Sequence, residues 1–97
     1  MKHAGNAALD GIEPLLDALR GIDGMIEKKR GVFYRRAQAF LHFHEDPAGM
    51  FADLRVPPGV RTEEPPDADG WVRLPASTVR ERRTLVGVVR RALKAPQ

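Results

Sequence analysis

The chain has 97 residues, 42% of them hydrophobic and 30% charged, with a formal net charge of +3; this suits one small folded domain and argues against wholesale disorder. It contains no cysteine, so disulfides, thiolate metal sites and a thiol nucleophile are excluded. The start, Met1-Lys2-His3-Ala4-Gly5-Asn6, leads into no apolar leader-like core, and no apolar run approaches the roughly 20 residues of a membrane span; the expectation is a cytoplasmic protein without a membrane partner.

Residues 1–9 read as a loose tail. Asp10 followed by Glu13 reads as an N-terminal capping pair, with Pro14 in the first turn, where its missing N–H costs little. Ile12, Leu15, Leu16 and Leu19 then recur at helical spacing and predict one apolar face, and Gly21 is the expected left-handed C-cap.

The next part reads as β-structure. A short strand is expected around Met25-Ile26, another at Val32-Phe33-Tyr34, and a tight turn at Arg35 to Gln38. Ala39 to Glu45 is the clearest strand. Asp46-Pro47-Ala48-Gly49 suits a type I turn, with Asp, Pro and Gly at the positions that such turns favour, and residues 50–56 return as the antiparallel partner. A loop at Asp46–Gly49 sets Glu45 opposite Met50 and His42 opposite Asp53. Leu41, Phe43, Ala52 and Leu54 then share one face, and Phe40, His42, His44, Phe51, Asp53 and Arg55 the other. A three-residue loop with a glycine bulge would shift this by one. The first register separates polar from apolar more cleanly and is the expected one.

Residues 57–70, PPGVRTEEPPDADG, form a Pro- and acid-rich loop, near the length beyond which structureless connections are uncommon. Trp71 to Leu74 is a last strand. Thr78 with Glu81 makes a capping box, with Ser77 as rival N-cap, and Val79, Leu85, Val86, Val89 and Leu93 give the closing helix an apolar stripe. The whole, residues 1–97, is therefore expected to be a single α+β domain. Its architecture is a two-layer sandwich: a three- to four-stranded antiparallel meander flanked by an N-terminal and a C-terminal helix.

His42-x-His44 on a strand puts two imidazoles on one face, roughly 6.5–7 Å apart along the chain. Two histidines are not by themselves a metal site, and Asp53 across the hairpin is the carboxylate that would complete one. The bland alternative is a pair hydrogen-bonded to Asp53, Glu45 or Asp46 on a half-wet face. The same face offers His42, His44, Asp53, Arg55, Tyr34 and Trp71 as candidates for binding a small ligand, with Phe40, Phe51 and Trp71 as walls. No nucleophile elbow or phosphate loop is found, no catalytic residue is assigned, and no metal or cofactor is expected. The last helix carries Arg80, Arg83, Arg90, Arg91 and Lys94, which could track nucleic-acid phosphates or simply face solvent.

The run AFLHFHEDPAGMFADLRV (residues 39–56), with GW at 70–71 and a closing amphipathic helix, resembles a small bacterial family labelled "luciferase domain". The positions that carry the resemblance are His42, His44, Pro47, Gly49, Leu54, Gly70 and Trp71, within about residues 20–95. It implies the same small α+β fold and no particular reaction. YjbR-like small domains are also similar, with a helix, a meander and a C-terminal helix, but this chain lacks their length and central helices.

The leading expectation is a non-enzymatic binding module whose His42/His44 face takes a small ligand or a protein partner, a second copy of the chain included. The alternatives are a nucleic-acid accessory protein using the last helix, and a small metal-assisted enzyme.

Overall fold

A computed structural model describes residues 2–96. Its order is β1 (Lys2–His3), α1 (Asn6–Asp10), α2 (Glu13–Arg20), β2 (Ile26–Lys29), β3 (Val32–Arg35), β4 (Gln38–Asp46), β5 (Gly49–Arg55), β6 (Trp71–Pro75) and α3 (Val79–Lys94). All strands are antiparallel in one six-stranded sheet; β2 to β6 follow one another as a meander, and β1 pairs with β4. The fold is the expected α+β arrangement, with more strands than the three or four expected.

The loose-tail reading of residues 1–9 is corrected by β1 and α1; Met1 lies outside the described residues. The nine-residue β4 is longer than β3, which covers only Gln38 to His42. This leaves part of the same edge open, and β1 fills it: Lys2 faces Glu45 and His3 faces His44. Ala4 N–H donates to the Phe43 carbonyl (3.1 Å), and Gly5 N–H donates to the Glu45 carboxylate (2.7 Å). An unpaired strand edge thus finds a partner within its own chain.

Ile12, Leu15, Leu16 and Leu19 are all buried, as their spacing requires. Asp10 is not the cap of that helix. It ends α1, the α2 N-cap is Ile12 without a side-chain bond, and Asp10 instead accepts from Arg30 (2.8 Å). Nor is Gly21 left-handed (φ −80°), because Ile22 N–H still donates to the Leu19 carbonyl and prolongs the turn; the reversal comes at Gly24, φ +106°. Arg20 and Arg30 bind Glu13, and Arg20 also holds Glu27, so charge ties α2 to the β2–β3 hairpin.

The β4–β5 register is the expected one: Glu45 faces Met50, His42 faces Asp53 and Leu41 faces Leu54. Leu41, Phe43, Ala52 and Leu54 are buried beneath the helices, with Val72 and Leu74 from β6 and Phe33 from β3. Phe40 departs from the expected face. The β3–β4 register slips so that Phe33 opposes Leu41 while Tyr34 opposes Ala39, leaving Phe40 as the extra residue of a bulge. Strict alternation fails there, and Phe40 joins the core.

The Thr78–Glu81 capping box forms as expected, while Ser77 Oγ accepts the Met50 N–H at 2.8 Å. The core side of α3 is Leu85, Val88, Val89 and Ala92. Val79 at the first helical position is exposed, so the stripe starts only at Leu85, six residues later than expected. Arg35 donates to the carbonyls of Ala92, Leu93 and Ala95, binding the helix C-terminus to β3. No helix of the described residues is long and apolar enough to cross a membrane.

Candidate functional site

The sheet face away from the helices is built from two adjacent cross-strand rows. One runs His3–His44–Phe51–Pro75 and the other Val32–His42–Asp53–Arg73. Period-two alternation stacks the rows on one side of the sheet. The imidazole centroids of His42 and His44 are 4.9 Å apart, those of His3 and His44 4.6 Å, and those of His3 and His42 5.5 Å. All three histidines of the chain therefore meet in one cluster, and one ligand nitrogen from each lies within 4.8 Å of the others.

Asp53 sits where the register puts it, opposite His42, but its carboxylate is engaged. Arg73 grips it through Nε (2.7 Å) and a terminal nitrogen (2.9 Å). Asp53 Oδ2 also approaches His44 Nδ1 to 3.0 Å, in a direction that makes no hydrogen bond. The expected pairing of the histidines with a carboxylate is thus only half realised: the charge is close, and the Nδ1 atoms of His42 and His44 are both buried without a hydrogen-bond partner. Such orphans are costly and uncommon in native interiors. The third group that completes the cluster is His3, not Asp53.

His44 is 9% exposed, His42 half-buried and His3 open to solvent. Burial pulls the His42 and His44 imidazoles below their ordinary pKa, against the opposing pull of Asp53. Both are therefore neutral at neutral pH, the form that ligates metal. Burial pushes the Asp53 carboxyl up, yet the hydrogen bonds and charge of Arg73 outweigh it and hold the carboxyl below its usual value. Asp53 stays an anion beside the histidines.

The expected aromatic wall is partly present. Trp71 lies edge-on to His42, 5.1 Å between centroids, and the Arg55 guanidinium carbon lies over the Trp71 ring, 4.7 Å from its centroid. A cleft of about 500 Å³ opens here, lined by His42, Asp53, Asp67, Trp71, Val72 and Arg73. Tyr34 is not part of it; it lies past the bulge on β3, with Lys28 Nζ 5.3 Å from its ring centroid. A larger cavity of about 860 Å³ lies under the 57–70 loop and is lined by none of the histidines. That loop is anchored: Val56 N–H donates to the Gly70 carbonyl, and Asp67 pairs with Trp71 through both backbone and side chain.

On α3, Arg80, Arg83, Arg90, Arg91 and Lys94 are all exposed. At about 100° per residue they fall within an arc of roughly 100°, opposite the core side. Among the described residues none of the five makes an ion pair, whereas Arg20, Arg30 and Arg73 all do. Arg91 donates to the Arg61 carbonyl at 3.3 Å.

His3 is the site residue that the spacing argument misses, because it is 39 positions from His42 and sits in a stretch with no strand signal. The available signal is compositional: the chain has only three histidines, and two already share a face. Comparison of the chain with protein families, with curated proteins and with solved structures finds no match.

Proposed function

We propose that this chain is a metal-binding module in which His3, His42 and His44 take a divalent transition ion of the zinc class through three imidazole nitrogens. The observation that supports this reading is the cluster itself: three donors within 4.8 Å of one another, and two buried Nδ1 atoms without partners. Zn–N bonds of about 2.0–2.1 Å at tetrahedral angles need donors roughly 3.4 Å apart. The difference is within reach of ring rotations, above all at the exposed His3. Neutral imidazoles suit zinc, copper or nickel and not magnesium or calcium, which prefer oxygen.

Three protein nitrogens leave one position of a tetrahedral ion for water or an anion, as in an accessible site and not a closed structural one. The ligand-binding role expected of the His42/His44 face then acts through the ion. The reading stops at binding, because Asp53, the buried carboxylate beside the cluster, is engaged by Arg73 and is not a free base.

Chelator-stripped, untagged protein titrated calorimetrically with Zn²⁺ tests this. One ion per chain is expected, a tetrahedral-type visible spectrum with Co²⁺, and no heat with Mg²⁺. His42→Ala with His44→Ala should abolish the heat while circular dichroism stays native. Undiminished binding by a folded double variant would overturn it.

A second reading is favoured by the unpaired cations of α3: a helix face that contacts nucleic-acid phosphates. It uses the opposite layer of the molecule and is independent of the histidines.

A further inference from the structure

We propose that the cavity beneath the 57–70 loop binds a small amphipathic monocarboxylate, its carboxylate on Arg55 and its apolar body along Phe40, Val56, Pro57 and Val60. At about 860 Å³ the cavity has the size of a small-molecule site. Its walls come from three places: the β3–β4 turn, the end of β5 with the residues that follow, and the Pro66–Gly70 return of the loop. The lining is mostly apolar with a few charged side chains, which is the pattern of a site that recognises an apolar body with a charged end.

The charges choose the ligand. Arg35 lines the cavity, but its guanidinium is occupied by the carbonyls of Ala92, Leu93 and Ala95. Arg55 is different. Among the described residues it makes no ion pair, its guanidinium carbon lies 4.7 Å from the Trp71 ring centroid, and its Nε is buried and has no hydrogen-bond partner. A guanidinium that no carboxylate of the chain occupies matches the carboxylate of a ligand. Arg36 adds a second cation at the rim and holds a left-handed backbone, φ +58°, unusual for a residue with a side chain.

Asp67 and Asp69 also line the cavity. The Asp67 side chain accepts the N–H groups of Asp69 and Trp71, while Asp69 brings a negative charge to the wall. A doubly charged phosphate would face those carboxylates, whereas a singly charged head against Arg55 would not need to approach them. The inference is independent of metal at the histidines and is tested with chelator present.

The test uses 4-phenylbutyrate and its neutral counterpart 4-phenylbutanol as probes, followed by ¹⁵N–¹H correlation spectra of the full chain. The acid should saturably shift the amides of residues 55–60 and 66–70, and should bind roughly 10- to 100-fold more tightly than the alcohol, the value of a charged hydrogen-bonding partner. Arg55→Met keeps an apolar chain against Trp71; it should remove that preference and leave alcohol binding unchanged. If that variant loses its native spectrum, Arg55→Lys keeps the charge without the fork and should retain only part of the preference. Equal binding of acid and alcohol by the native chain would overturn the proposal. So would the absence of saturable shifts at these amides up to roughly 10 mM, where a ligand of this size should register.

Discussion

Replacing His3 by alanine separates the metal site from the fold. His3 is exposed and sits in a strand of two residues, so the metal-free variant should lose no more than about 0.5 kcal/mol. For a domain of this size that is roughly 2–4 °C in Tm. The metal-bound states should differ far more. With free Zn²⁺ at 100 times the native Kd, binding stabilises the native chain by about 2.7 kcal/mol, or roughly 11–22 °C. Removing one of three donors should weaken binding by about 100-fold, the upper end of what losing even a supporting contact costs. At the same Zn²⁺ concentration the variant then gains only RT ln 2, about 0.4 kcal/mol, or roughly 2–3 °C. The assay is thermal unfolding by circular dichroism, with and without Zn²⁺, on protein carrying its own N-terminus, since an N-terminal tag would load β1. Equal Zn²⁺-induced shifts in the native and His3→Ala chains would refute the three-histidine site, and no shift in either would refute metal binding altogether.

Three further outcomes follow from other parts of the molecule. If α3 contacts phosphates through five cations, log affinity for a short DNA duplex should fall against log salt with a slope of about −4.5, and Arg83→Glu with Arg90→Glu should flatten it; salt-insensitive binding in a filter or polarisation assay would count against that role. Glu27 accepts from Arg20 at 2.7 Å and from the Gly31 N–H at 2.9 Å, and the Arg20 hydrogen bonds hold its carboxyl below the ordinary value against burial. Its stabilising contribution is therefore fully present above the usual carboxylate range, about pH 4–5, and is lost as pH falls through the depressed value. Glu27→Gln should lower Tm at pH 7, by an amount that shrinks towards zero in acid; a difference constant across the pH series would show the cause to be packing and not charge. Gly49 has φ +136°, and a methyl group there would collide with Ser77 Oγ, so Gly49→Ala should cost about 1–3 kcal/mol in urea unfolding. A loss under about 0.5 kcal/mol would mean that the β4–β5 turn relaxes freely.

What was legible in the sequence is what local periodicity and turn chemistry decide. Ile12, Leu15, Leu16 and Leu19 were placed by helical spacing, the β4–β5 register by the contrast between Leu41/Phe43 and His42/His44, and the last helix by Thr78 and Glu81. The misses are non-local. Phe40 changes face because of a bulge against β3, which nothing in residues 38–46 signals. Asp10 looked like a cap but is drawn to Arg30, twenty residues on. Lys2 and His3 have no strand pattern of their own; they become a strand because β4 outruns β3 and leaves backbone groups to pair.

That last point links the fold to the site. Two residues of β1 make few backbone bonds, and Lys2 adds only an exposed pair with Glu45 at 3.8 Å, a contact worth little in water. The tail is therefore held to the sheet by few bonds, yet it supplies the most exposed member of the histidine cluster. His42, half-buried, and His44, buried, are fixed by the central strand and form one half of the site; His3, on the two-residue β1, is the other half. An ion bridging them would bring the binding free energy of a third ligand to a strand that its own hydrogen bonds hold weakly. Metal occupancy should then be read most sensitively not at His42 and His44 but in hydrogen exchange of the Ala4 and Gly5 amides, which bond to Phe43 and Glu45. Slower exchange at those two amides with Zn²⁺, and unchanged exchange in the core of α3, would show the ion closing the sheet edge. Uniform slowing across the chain would mean instead that the ion stabilises the fold globally, and that β1 opens only when everything else does.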